Sequence, residues 1–166
     1  DPATMEHMGQ VIEQTAKEHK INIGRWRSSP LAQEPLLYPL SGFKDISWES
    51  QVINLEMPLD KTWADVRDGH RAEIHKGLRT YDFVKSYEID QFHHLHAIAN
   101  KRETRPARTW EIMGGWVKDW IADIFMVLEN SKAIGGAMFI KYKMSVYYAS
   151  AAYPVDHIAH ALIWTA

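Results

Sequence analysis

Three apolar runs follow one another between residues 123 and 153: "DIFMVLE", "AIGGAMFIKY" and "MSVYYASAAY". Only Asn130-Ser131-Lys132 and Lys143 stand between them. Strands joined this tightly must pair as antiparallel neighbours, because a parallel pair needs a crossover of about a dozen residues or more. The chain is therefore expected to build an antiparallel meander. Its two apolar faces then need helices to cover them.

The flanking segments supply those helices. Trp63, Val66, His70, Ile74 and Leu78 form one apolar stripe, which predicts a single helix over Leu59–Leu78. Asp60 is its expected N-cap, and Gly77 stands where a left-handed C-cap residue is wanted. "YDFVKSYEID" alternates as a strand. Asp90 is expected to cap a helix over Phe92–Lys101, and Thr109 to open another carrying Trp110, Met113, Val117 and Trp120. After the meander, Pro154-Val155-Asp156 introduces a helix with Ile158, Leu162 and Ile163 apolar. Upstream, Met5–Lys20 has helical periodicity, "INIGRW" and "WESQVINLEM" read as strands, and the proline-rich segment between them reads as loop. The fold class is α+β: a mainly antiparallel sheet flanked by helices.

Composition narrows the function. The chain has 166 residues, 46% of them apolar, enough for a sizeable core. Its net charge of −2 opposes a broad electrostatic grip on nucleic acid or membrane. With no cysteine, disulfides, thiolate metal sites and cysteine nucleophiles are excluded. No run reaches the length of a transmembrane segment. The absence of cysteine fits a cytoplasmic location. Position 1 is not Met and the last residues carry no helix stop, so the ends read as those of a fragment, truncated on both sides.

The densest charge lies in "WADVRDGHRAEIHKGLR". Arg67, Arg71 and His75 are four apart, which on one continuous helix aligns their tips. Two readings stand: a solvated mixed-charge face, or a cationic grip on an anionic substrate, for which guanidinium is the best match to phosphate. "HRAEIH", "FHHLH" and "DHIAH" offer histidines without convergent spacing, so no metal site is expected. "FHHLH" in particular reads as a surface helix. Gly135-Gly136 reads as a tight turn or bulge, since no phosphate-loop Lys-Ser/Thr follows. Tyr147 and Tyr148 point to opposite faces of their strand, and one of them is free to meet a cleft.

The element order from residue 81 is similar to that of the GNAT acyltransferases through their fourth strand and third helix. The wording of "QVINLEMPLDKTWADVRDGHRAEIHKGLR", with Ile53, Leu55, Trp63, Arg67, His70-Arg71, Ile74, Lys76 and Gly77, resembles the FemAB-like branch, the peptidoglycan-bridge aminoacyltransferases. "SGF" at 41–43 and the "YYAS" strand also fit. The resemblance covers about residues 8–166 and is diffuse. It implies that residues 1–57 are the tail of a preceding GNAT-like unit and that 58–166 are a GNAT-like domain without its final strands.

That resemblance implies an acyl- or aminoacyltransferase forming an amide on an amine in cell-wall or surface-polysaccharide synthesis. No cofactor would be tightly bound. The donor would be aminoacyl-tRNA or acyl-CoA, and the acceptor a nucleotide- or lipid-linked sugar. Asp156 and His157 would be candidate bases. Arg67 and Arg71 would hold phosphates, with Lys76 beside them as a further binding residue, and Tyr148 would line the cleft. One departure stands out. Where thioester-using members carry a glycine-rich phosphate turn, this chain has "YPVDHIAHA", without glycine and with Asp156. Two other readings stay open: a coenzyme-A-dependent N-acetyltransferase, and a non-catalytic interaction domain.

Overall fold

Asn130 and Ser131 both adopt positive φ, 50° and 64°, the backbone of a type I′ turn. They join two strands, β2 (Ala122–Glu129) and β3 (Lys132–Tyr142). A second two-residue connection, with Lys143 at φ 53°, leads to β4 (Ser145–Ala152). With β1 (Asp82–Ser86) these strands form one antiparallel sheet of order β1-β2-β3-β4. This is the expected meander, and the α+β class holds. The computed structural model describes residues 2–21, 52–155 and 157–166.

The chain divides into two units, Asp1–Met57 and Pro58–Ala166. The first contains α1 (Pro2–Glu18), with a Lys17–Glu13 ion pair of 2.7 Å along its surface. The strand expected over residues 48–57 is absent from its described part. There Asn54 Oδ1 accepts from the Glu56 amide at 3.0 Å, an Asx turn that competes with extended pairing. "INIGRW" from residue 22 onward, the proline-rich loop and "SGF" lie outside the described residues.

The second unit holds α2 (Leu59–Asp65), α3 (Asp68–Thr80), α4 (Ile89–Asn100), α5 (Ala107–Lys118) and α6 (Ala159–Thr165). Helices α4 and α5 cover one face of the sheet. Phe92, Leu95, Trp110, Met113 and Val117 pack there on Ile124, Met126 and Met138. On the other face α6 places Ile158 and Leu162 against Val127 and Ala137, and α3 packs on α6. Among the described residues no helix is long and apolar enough to cross a membrane.

Several expected boundaries move. The single helix over Leu59–Leu78 is two helices, because Val66 and Arg67 are extended, with ψ of 128° and 146°. The break exposes the last carbonyls of α2, and Arg71 satisfies them. Its guanidinium donates to Trp63 O at 3.2 Å and Ala64 O at 3.3 Å, and pairs with Asp68. Pro58, not Asp60, is the N-cap of α2; Glu88, not Asp90, precedes α4; and α5 opens at Ala107 after Pro106 rather than at Thr109. Gly77 is no C-cap. It lies inside α3, where a Cβ would sit 2.5 Å from Ala161 Cβ, so glycine is what lets α3 and α6 approach. Gly135-Gly136 likewise lie within β3. The bulge is at the preceding residue, Ile134, which has no partner on β2.

His96 is buried, contrary to the surface helix expected for "FHHLH". Arg105 Nη1 lies 2.9 Å from its Nε2, and a guanidinium can only donate. Nε2 is therefore an acceptor, the ring proton is on Nδ1, and Nδ1–H donates to Thr104 Oγ1 at 2.9 Å. The other arm of Arg105 donates to Ser150 Oγ of β4 at 3.2 Å. Burial, then the Arg105 and His93 charges, push the His96 pKa down from its ordinary 6.5, against a smaller opposing pull from Glu103.

Two expectations follow. Arg71→Ala should lower stability by about 1 kcal/mol in urea unfolding, by orphaning the α2 carbonyls. For His96, the unfolded chain binds the extra proton more readily than the folded one, so stability rises with pH. The contribution is full above about pH 6.5 and is lost as pH falls from there toward the depressed folded value. The urea midpoint should drop between pH 7.5 and pH 5.5 by more in the wild type than in His96→Gln, whose amide oxygen keeps the Arg105 bond without titrating.

Candidate functional site

The corner between β4 and α6 gathers the chemistry. Strand β4 is the outer strand of the sheet among the described residues. Its pairing with β3 shifts between Met138 and Phe139: Ser150 faces Met138, Tyr148 faces Phe139, and Ala149 has no partner. Such a bulge releases one residue's amide from the ladder and re-aims its neighbours. On one side of the bulge Ser150 is tied to Arg105. On the other, the Tyr148 hydroxyl meets the Tyr153 hydroxyl at 2.8 Å. Tyr148 remains 41% exposed.

Burial is the leading cause that raises the pKa of both phenols. The Tyr153 bond partly offsets it at Tyr148, and the bond to Tyr148 reinforces it at Tyr153. Both therefore stay protonated throughout the physiological range and act as hydroxyl donors, not as phenolate bases.

Beyond Tyr153 the chain turns into α6 through His157, whose φ is 68°. That strained backbone aims the imidazole at α3, where Nδ1 comes within 3.2 Å of Glu73 Oε2. The approach lacks hydrogen-bond alignment, and the buried Oε2 has no hydrogen-bond partner among the described residues. His157 itself is 62% exposed at the side chain. Alongside, His70 and His160 stack at 4.4 Å, and Trp63 meets Trp164 edge-on at 4.8 Å and His75 at 5.0 Å. Among the described residues no group of three or more His, Asp or Glu is arranged to hold a metal ion.

The expected site residues therefore separate. His157 and Tyr148 lie at the two ends of this corner. Asp156 lies outside the described residues. Arg67 and Arg71 both belong to the start of α3, the Arg71 amide donating to Arg67 O at 2.9 Å, but their guanidinium groups have different surroundings. Arg67 is the exposed N-cap of α3, and Arg71 is spent on the α2 carbonyls and Asp68. Lys76 is exposed in the middle of α3. Two residues were not anticipated: Glu73 as the partner of His157, and Tyr153 as the partner of Tyr148. Glu73 sits one residue before buried Ile74, the only local hint that it faces inward.

Neither a protein-family model nor a curated protein sequence matches this chain.

Spectrophotometric titration tests the tyrosine pair. The upward shift of both phenols predicts a late-ionising component in the tyrosinate absorbance, which a Tyr148→Phe, Tyr153→Phe double variant should lose.

Proposed function

We propose that this chain carries an amide-forming acyltransferase site of the GNAT kind, in the branch resembling the peptidoglycan-bridge aminoacyltransferases. The observation that carries the reading is the order strand, two helices, three-strand meander, helix, with a bulge in the last strand beside an acid–base corner. The donor is an activated acyl ester or thioester and the acceptor an amine on a nucleotide- or lipid-linked sugar.

The chemistry fits the residues in hand. The acceptor must lose a proton to become a nucleophilic amine, and His157 Nε2, with Glu73 behind the ring, is the base for it. The amine nitrogen then bonds to the carbonyl carbon. The oxyanion that forms needs a fixed donor, a role suited to a backbone amide at the bulge, where Ala149 has no register partner on β3. As the oxyanion collapses and the carbon–oxygen or carbon–sulfur bond breaks, the leaving group takes the proton of the Tyr148 hydroxyl, and the tyrosine is reprotonated by the proton that the new amide nitrogen sheds. Exposed Arg67 and Lys76 are the cations left to attract a phosphate-bearing substrate, since Arg71 is committed to the fold.

Mass spectrometry of an amine-bearing nucleotide-linked muropeptide, incubated with the protein and either alanyl-tRNA or acetyl-CoA, tests the proposal. One donor should produce the mass of the acylated amide. His157→Ala should slow that transfer about 100-fold and Glu73→Gln about 10-fold, with folding unchanged by circular dichroism. Absence of product with both donors, or full activity in His157→Ala, removes the assignment. Which donor works separates aminoacyl transfer from coenzyme-A-dependent acetylation.

A further inference from the structure

Helix α6 covers only part of its face of the sheet. The pleat and the register put Phe83, Phe125 and Phe139 on that face, and the same alternation puts Lys85, Asp123 and Lys141 there too. Beyond the Val127–Ala137 contact with α6, these charged side chains occupy adjacent strands. Lys85 Nζ lies 2.8 Å and Lys141 Nζ 2.9 Å from the same oxygen, Asp123 Oδ1. The two ammonium groups are therefore within about 6 Å of each other, close enough to share one oxyanion. Two positive charges against one negative leave a net positive charge. Asp123 is only 14% exposed at its side chain, so the anchor for both lysines is well shielded.

Beside this trio runs an aromatic file. Phe125 and Phe139, which also pack against the core under α6, meet edge-on at 5.8 Å, and Phe139 and Tyr148 lie tilted at 5.5 Å. Val146, opposite Lys141 in the register, is exposed. Phe139 thus borders the α6 core on one side and half-exposed Tyr148 on the other, and three charges stand at the same-face positions of the pleat beyond it.

We propose that this half-face, left uncovered by α6 among the described residues, binds a ligand with one anionic oxygen group joined to a planar apolar part. The oxyanion is taken by Lys85 and Lys141, and the ring lies on Phe139 and Tyr148. This deepens the transferase reading and rests on it for the role, since Tyr148 is common to both sites. It assigns substrate recognition to the sheet as well as to Arg67 and Lys76.

NMR titration of the full chain with phenyl phosphate and with benzoate tests the proposal, with inorganic phosphate and benzyl alcohol as the two half-probes. One aryl anion should give saturable shifts at Lys85, Asp123, Lys141 and Tyr148, about 10-fold tighter than either half-probe. Lys141→Met should weaken it about fivefold. Asp123→Asn should tighten it about fivefold by removing the competing negative charge, whereas a purely structural ion trio would lose stability and gain no affinity. No saturable binding of either aryl anion at about 10 mM, or an affinity unchanged in both variants, overturns the proposal. Transfer activity in a protein that binds neither aryl anion removes this subsite and leaves the reaction standing. Lysine-dependent binding in a protein without transfer keeps the subsite and removes the reaction.

Discussion

The second unit depends on the seating of one short helix. Helix α6 buries Ile158, Ala161 and Leu162, and it can do so only because two facing positions have no side chain. A Cβ at Gly77 would meet Ala161 Cβ at 2.5 Å, and one at Gly135 would meet Ile158 Cδ1 at 2.4 Å. Interiors pack too densely to absorb such overlaps without movement. The close approach brings α3 and the β4–α6 corner together. The His70–His160 stack, the Glu73–His157 contact and the Trp63–Trp164 contact are all consequences of that docking.

Strand β4 links this docking to the candidate chemistry. One of its faces is held by Ser150 through Arg105 and a neutral His96. The other carries Tyr148 toward Tyr153 and toward the open half of the sheet. The bulge at Ala149 lies between these two attachments. The two opposed side-chain anchors hold the strand on either side of the bulge. Tying β4 down on both faces also protects an edge strand whose outer backbone groups have no partner strand among the described residues.

Much of the architecture was legible because it is local. The apolar runs at 123–153 and their short connectors require antiparallel pairing, and the apolar stripes along α4 and α5 require helices that face a core. Legibility failed where a distant contact outweighed local preference. The stripe from Trp63 to Leu78 is continuous, yet the helix breaks at Val66–Arg67, and Arg71 binds the freed carbonyls from the next helix. That role turns the Arg71 guanidinium back to the end of α2, although its backbone stays one turn from Arg67. His96 looked like a surface residue because its neighbours His93 and His94 are polar. Arg105 and Ser150, which make its burial tolerable, are visible only when β4 lies beneath α4.

The sequence by itself determined the strand order, the turn positions and the alternation that separates the two faces of the sheet, since each follows from neighbours a few residues apart. It also supplied His157 and Tyr148 as candidate site residues. Only the tertiary structure decided what they meet. Glu73 reaches His157 across the α3–α6 contact, and Lys85, Asp123 and Lys141 come together from three separate strands. Pairings of that kind depend on strand register and helix docking, which are settled by packing over the whole unit and leave no signature in residue spacing.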